Sequence, residues 1–288
     1  MRFLVIDVGN TSTSLARYAD GRISHYAHVK GGIRRRPDAC AAALRRAAAG
    51  GVDGAVLGSV VPAVNAAWRR LVRRETGCRT LVVRAGMPME VRVDYPRPAT
   101  IGADRLANAC GGVARHGAPL VVADFGTALT FDIVTADRRY VGGVIAPGLP
   151  LMTDYLHERT ALLPHVAIGG PCPRIGRSTR GAIRIGAQIG YRGMVRETFT
   201  YLCRSLGRRV RLVATGGFAR WVMRGSGMRC TVDPTLTLFG LGRIGESAAK
   251  RVSRRGRRGR RGIPSPNSAD SAPSARGRTA IRRSGGKS

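Results

Sequence analysis

The sequence predicts an α/β fold built from two related halves, and three observations carry that prediction. Short apolar runs that read as strands alternate with Ala- and Leu-rich stretches of helical character. An opening pattern, Phe3-Leu4-Val5-Ile6-Asp7-Val8-Gly9-Asn10-Thr11, returns as Leu120-Val121-Val122-Ala123-Asp124-Phe125-Gly126-Thr127-Ala128. Both copies then continue into a second strand-like run, over residues 13–18 and 129–134. Chance likeness between buried strands would explain the apolar letters but not the shared Asp-x-Gly turn, so the repeat reads as duplication.

Each element has a local reason. Residues 2–7 form an apolar strand ending at Gly9-Asn10-Thr11. Residues 38–49 read as a helix stopped by Gly50-Gly51. A strand over 55–61 closes at Pro62, a helix follows over 66–75, and 81–83 is a short strand. Residues 103–116 read as a helix stopped by Gly117. After the repeated strand come a strand over 140–146, a helix over 149–163, and a long helical stretch over 179–206 with a break near Gly190. A strand over 210–215 ends at Gly216-Gly217, and a helix over 235–250 closes the ordered part. The expected divisions are 1–117, 118–249 and a tail over 250–288.

The chain has 288 residues, 43% of them hydrophobic, which is enough for a real core in one large domain or two ordinary ones. Asp7 cuts the opening apolar run too early for a signal peptide, and no stretch of about 18 uncharged apolar residues occurs. The expectation is a cytoplasmic protein with no membrane partner. Six cysteines lie without a C-x-x-C pair or a zinc-like Cys/His cluster and are expected to be reduced, mostly buried thiols. The five histidines form no arrangement of nucleophile, His and acid.

The net charge is +32 and uneven. Residues 250–288 hold 13 Lys and Arg against the single acid Asp270. Like-charge repulsion and few apolar residues predict a disordered tail. A solubilising extension is the preferred reading, because Arg-Gly-rich tails bind nucleic acid only without specificity.

Two Asp-x-Gly turns at strand ends make a phosphate clamp. Glycine lets the backbone approach a ligand, and N–H groups with Thr or Ser hydroxyls bond phosphate oxygens. The carboxylates cannot bind phosphate directly and would hold a cation, or a cation's water, beside it. There is no Gly-x-x-x-x-Gly-Lys-Ser/Thr, and the three lysines, at 30, 250 and 287, lie outside the phosphate motifs. Cations and Arg must therefore neutralise a bound nucleotide.

The order and spacing of Asp7-x-Gly9-Asn10-Thr11, Gly102-Ala103-Asp104-Arg105, Asp124-Phe125-Gly126-Thr127-Ala128-x-Thr130-x-Asp132 and Gly142-Gly143-x-x-x-Pro147-Gly148 resemble the type III pantothenate kinases of the actin and sugar-kinase superfamily. Thr215-Gly216-Gly217 and Leu236-Thr237-Leu238-x-Gly240-Leu241 resemble that family's closing motifs. The resemblance covers about residues 1–248 and leaves out the tail.

The resemblance implies two ribonuclease-H-like (actin-like ATPase) halves with ATP in the cleft between them, and ATP-dependent phosphorylation of pantothenate, the first step of coenzyme A synthesis. It implies ATP contacts from Asp7, Val8, Gly9, Asn10, Thr11, Ser12, Thr13, Ser14 and Thr127. Pantothenate would be bound by Tyr95, Gly102, Ala103, Asp104, Arg105 and Thr179. Asp104 would be the catalytic base, and Asp124 would hold a monovalent cation, K+ or NH4+. Mg2+ would accompany ATP, and the protein would be a homodimer with substrate pockets near its interface. Ser178 stands where the family often carries Asn, a departure that bears on substrate affinity.

Read from position alone, Asp104 is a helix-start acid or an ion-pair partner of Arg105, Asp124 a turn former, and Thr179 an N-cap. Two other functions are weighed: a transcription-accessory protein on the same scaffold, touching nucleic acid through the tail, and a different small-molecule kinase of the superfamily. The catalytic-type acids argue against the accessory role, since a regulator needs no base and cation ligands together.

Overall fold

The computed structural model describes residues 1–207 and 210–260, with side chains through Arg251. In chain order the elements are β1 (Arg2–Val8), β2 (Ser12–Ala19), β3 (Arg22–Lys30), α1 (Gly32–Arg35), α2 (Pro37–Ala47), β4 (Gly54–Ser59), α3 (Asn65–Thr76), β5 (Thr80–Val82), β6 (Arg92–Val93) and α4 (Ala103–His116). There follow β7 (Leu120–Phe125), β8 (Ala128–Val134), β9 (Arg139–Pro147), α5 (Leu149–Glu158), α6 (Thr179–Ile185), α7 (Tyr191–Ser205), β10 (Arg211–Thr215), α8 (Ala219–Arg224), β11 (Thr231–Val232) and α9 (Leu236–Arg260).

The strands make two mixed sheets, ordered β3-β2-β1-β4-β5 and β11-β10-β7-β8-β9-β6. In the first, β1, β2 and β3 form an antiparallel meander and β4 and β5 join parallel to β1. In the second, β7, β8 and β9 repeat the meander and β10 and β11 join parallel to β7. The duplication read in the Asp-x-Gly strands thus extends to five strands per half, with β6 added beside β9.

The apolar runs of β1 and β7 are continuous because both faces of each strand are covered. Leu4, Ile6 and Val8 pack with α2 and α3, around Leu44 and Trp68. Phe3 and Val5, on the other face, join Leu120 and Val122 of β7 in a core filled by Leu106 and Cys110 of α4 and by Leu238 and Leu241 of α9. Val121, Ala123 and Phe125 face a third core with Tyr191, Val195 and Val222. The central layer is therefore a helix pair shared by both sheets. By contacts, Met1–Arg251 is one compact unit and Val252–Ser288 another.

Several boundaries differ from expectation. The helix expected over 149–163 ends at Glu158, where the Thr160 hydroxyl donates to the Leu156 carbonyl and competes with the backbone ladder. The break expected near Gly190 is a π-helical turn, Gly186–Gly190, between α6 and α7. The last helix does not stop near Lys250; its backbone continues to Arg260. The rest of the expected disordered tail lies outside the described residues. Only Cys40 and Cys110 are buried, and Cys172 is exposed, so the thiols are less sheltered than expected. No helix among the described residues is long and apolar enough to cross a membrane.

Candidate active site

Side-chain alternation decides where the two Asp-x-Gly turns point. Asp7 shares its strand face with Phe3 and Val5, and Asp124 shares its own with Leu120 and Val122. Both carboxyls therefore emerge from the inter-sheet side, at the C-terminal ends of central strands. Their hairpins match: Asp7 pairs with Ser14 and Asp124 with Thr130 in register. Gly9 N–H donates to Ser12 O at 2.9 Å, and Gly126 N–H to Ala128 O at 3.1 Å. The two loops meet where Thr11 Oγ1 and Thr127 Oγ1 share a hydrogen bond of 3.0 Å.

A cleft of about 420 Å3 lies at this junction, within the usual range of ligand sites. Its walls include Asp7, Gly9, Asn10, Thr11, Ser12 and Ser14 from the first half and Asp124 and Thr127 from the second. Asp104, in the first turn of α4, completes a group of three carboxyls. Burial, then the Asp104 and Asp124 charges, push Asp7 up to about 8. Burial pushes Asp124 up to about 6, against the Asn108 side-chain amide, which donates to Asp124 Oδ2 at 2.9 Å. Burial also raises Asp104, although its Oδ1 accepts the Arg105 N–H at 2.8 Å.

Three acids that resist ionising together call for cations. Among the described residues, no three His, Cys, Asp or Glu side chains are grouped to ligate one ion by themselves. A cation held here would need ligands beyond these side chains, such as substrate phosphates. Asp124 is also fixed from the far side. Gly216, at φ +91°, approaches so closely that a Cβ there would lie 2.5 Å from Asp124 Oδ1 and 2.6 Å from Phe125 N. Only glycine fits both the left-handed backbone and the gap.

The Asp7 environment has a consequence for stability. A carboxyl held near 8 in the fold, against 3.8 ordinarily, keeps its proton more tightly folded than unfolded. Stability must then fall as pH rises between those two values, because the unfolded chain releases the proton first. Asp7→Asn removes that loss. Melting temperatures of the ligand-free protein, from about pH 5 to about pH 8, should drop more steeply for wild type than for Asp7→Asn. Parallel curves would mean that Asp7 is not held protonated.

The sequence profile of the type III pantothenate kinases matches residues 3–200. The chain belongs to that family. It is 41% identical over 244 residues to the type III pantothenate kinase of Acidiphilium cryptum, covering 83% of this chain and 92% of that one. It is 47% identical over 189 residues to the type III pantothenate kinase of Akkermansia muciniphila, covering 66% of this chain and 76% of that one. Among solved structures, it resembles a putative Baf family transcriptional activator from Campylobacter jejuni, with a TM-score of 0.55, 15% identity, and 86% and 99% of the two chains covered. It also resembles component A of the Acidaminococcus fermentans (R)-2-hydroxyglutaryl-CoA dehydratase, with a TM-score of 0.52, 14% identity, and the same coverage. At those identities the two structures share a fold with this member of the pantothenate kinase family and nothing finer.

The remaining residues singled out for the pantothenate kinase resemblance divide into groups. Val8 and Thr13 are buried and alternate away from the cleft, so their side chains do not line it. Gly102 is the N-cap of α4, and Ala103 is packed in the central core. Arg105 leaves the cleft and donates through Nε to Asp132 Oδ1 at 2.7 Å, with its guanidinium 5.8 Å from the Tyr140 ring centre. Tyr95 reaches the same cluster, 6.4 Å from Tyr140 between ring centres. Asp132 is fully buried, accepts from Tyr140 Oη at 3.1 Å, and is pushed up to about 7 by burial against the pull of Arg105. Arg105 Nη2 is buried with no hydrogen-bond partner. Thr179 is exposed on α6 and outside the cleft walls, and Ser178, not Thr179, caps that helix by accepting the Gly181 N–H at 3.1 Å.

Sequence reasoning gave no role to Asn108, Tyr26, His28 or Arg220. Asn108 is fully buried between Asp124 and Thr237, whose hydroxyl donates to Asn108 Oδ1 at 2.7 Å. The Asn108 position, one turn beyond Asp104 on the same helix face, was the available signal. Tyr26 and His28 enter the cleft from β3, where His28 Nδ1 and Ser14 Oγ are 3.2 Å apart. Nothing in the polar letters of that edge strand announced them.

Proposed function

We infer that the chain phosphorylates pantothenate with ATP, the committed chemistry of its family and the entry step of coenzyme A synthesis. The observation that carries this reading is the convergence of Asp104 with the two duplicated Asp-x-Gly turns in one cleft. Phosphoryl transfer needs positioning and charge neutralisation rather than covalent chemistry from the protein, and the cleft is equipped for that.

In this reading the cleft separates two ribonuclease-H-like halves, 1–117 and 118–249, and the phosphates of ATP lie between the Gly9–Ser14 and Gly126–Thr127 turns. The pantothenate hydroxyl lies against Asp104. As its oxygen bonds to the γ-phosphorus, its proton passes to the Asp104 carboxylate and the bond to the β–γ bridging oxygen breaks, releasing ADP. Asp7 fits a Mg2+ ion carried with ATP, and Asp124 a K+ or NH4+ ion. When bound, these cations supply neutralisation of the charge on the transferring group. Arg105 and Tyr95, whose cluster lies outside the cleft walls, take the pantothenate body and carboxylate in this reading once substrate uncovers the buried, unpartnered Nη2 of Arg105. An ATP-consuming reaction of this kind suits the cytoplasm.

The homodimer is part of the same proposal. Ile145, Leu151, Tyr155 and Ile189 are exposed on β9, on α5 and on the π turn that α5 contacts, and single scattered apolar residues would not need this concentration. Thr179, which the cleft of one chain does not include, lies on the helix leading into that turn. Light scattering of the purified chain should give twice the monomer mass; a monomer at working concentration would sink the dimer.

The direct test is ADP release with ATP, Mg2+ and pantothenate, in K+ and then in Na+. Release that depends on pantothenate is expected, and its absence from folded protein would overturn the assignment. Asp124→Ala should abolish the difference between the two salts. Undiminished K+ stimulation of that variant would remove Asp124 as the cation ligand.

A further inference from the structure

The cleft is electrically lopsided. Asp7, Asp104 and Asp124 stand in its walls, and among the described residues the only Lys or Arg that lines it is Arg220. A polyanion entering such a site meets repulsion that must be offset by cations placed nearby.

Arg220 is placed by the backbone rather than by partners. β10 carries Thr215 beside Asp124 in register, and Gly216-Gly217 turns the chain into α8. Arg220 is the second residue of that helix, is exposed, and makes no hydrogen bond or ion pair among the described residues. The cleft walls also include the apolar Val232, Pro234 and Leu238, and Gly217, which carries no side chain and precedes Arg220 by three residues. Such a surface accepts a flat heteroaromatic base, and a cation beside it can reach the phosphates nearest that base.

We propose that Arg220 is a nucleotide-binding residue of the cleft, its guanidinium engaging the phosphates on the nucleoside side of ATP. This rests on the kinase reading above for the identity of the anion. A free guanidinium offers a fork of N–H donors to phosphate oxygens, and its charge opposes the repulsion from the three carboxyls. Arg220 binds and takes no part in the proton transfer at Asp104.

The test uses Arg220→Gln and Arg220→Lys in the full chain. Because Arg220 is exposed, both variants should melt with wild type. In steady-state assays, Arg220→Gln should raise KM for ATP about tenfold, the loss of one charge-assisted contact. KM for pantothenate, and kcat at saturating ATP, should stay within about twofold, as expected for lost uniform binding. Arg220→Lys should recover most of the loss, and added salt should weaken ATP binding more in wild type than in Arg220→Gln. Calorimetry with Mg2+ and a non-hydrolysable ATP analogue reads the same contact without turnover. If wild type makes no ADP with pantothenate but binds the analogue, the kinase reading falls, while a tenfold weaker Arg220→Gln still upholds the nucleotide contact. Equal affinity of wild type and Arg220→Gln, or an equal loss toward both substrates, would overturn the proposal.

Discussion

Replacing Asp104 by Asn is expected to lower turnover by about a thousandfold while leaving nucleotide binding nearly unchanged, the scale of a lost general base. The carboxyl is half-buried in the first turn of α4 and accepts the Arg105 N–H through Oδ1 at 2.8 Å. An Asn oxygen can keep that hydrogen bond, so the change removes proton acceptance more than shape. If Asp104 only favoured the start of α4, its loss would cost about 0.3–1 kcal/mol of stability and no turnover. Rates at saturating substrates, read beside the melting temperature and calorimetric ATP affinity, separate the two cases. Turnover within tenfold of wild type would take Asp104 out of the mechanism. Burial already raises the Asp104 carboxyl from its ordinary value, which suits a group that must gain a proton during reaction.

Gly240→Ala tests the central layer, and two effects of opposite sign compete there. Ala is the better helix former by about 1 kcal/mol, so propensity alone predicts a more stable protein. The packing predicts the reverse. At the crossing of α4 and α9, a methyl group on Gly240 would overlap the carbonyl of Ala107 outright. The facing Gly111 is as tight, since a Cβ there would lie 2.7 Å from Leu236 O and 3.2 Å from Gly240 Cα. These obstacles are backbone, which cannot step aside as a flexible side chain does. Separating the helices should cost about 3 kcal/mol or more, outweighing propensity. In a protein of this size the net loss corresponds to roughly 5 °C or more in Tm. The damage should reach the cleft, because the bonds from Thr237 to Asn108 and from Asn108 to Asp124 span the same helix contact. A Tm equal to or above that of wild type would mean that the two helices are not in backbone contact.

Much of the fold was legible because local chemistry and tertiary structure agree. The helix read over 103–116 coincides with α4, since Gly117 stops it and Asp104 favours its start. The repeated Asp-x-Gly strands became the centres of two sheets with a shared strand order, because a continuous apolar run fits a strand covered on both faces. Elements held mainly by their neighbours were missed. β3 carries Ser24, His25, Tyr26 and His28, shows no clean alternation, and is held by pairing with β2 across an irregular register. β6 and β11 are two residues each and exist only through one partner strand. α5 ends early at Glu158, where Arg159 leaves helical geometry and the Thr160 hydroxyl takes the Leu156 carbonyl.

By itself, the sequence determined the duplicated strand-turn-strand units, the family, and which carboxyls stand at the ends of the repeated strands and at the start of α4, because these depend on residue type and spacing along the chain. Tertiary structure alone decided which of those residues meet. Strand parity turned Asp7 and Asp124 into one cleft and turned Val8 and Thr13 out of it. The stacking of α4 and α9 between the sheets brought Asn108 and Thr237 behind Asp124, across 129 residues of chain. The fold also sent Arg105 to Asp132 and left Arg220 as the cation of the cleft among the described residues. Long-range contacts of this kind follow from how three hydrophobic cores close together, and no local pattern of letters encodes that closure.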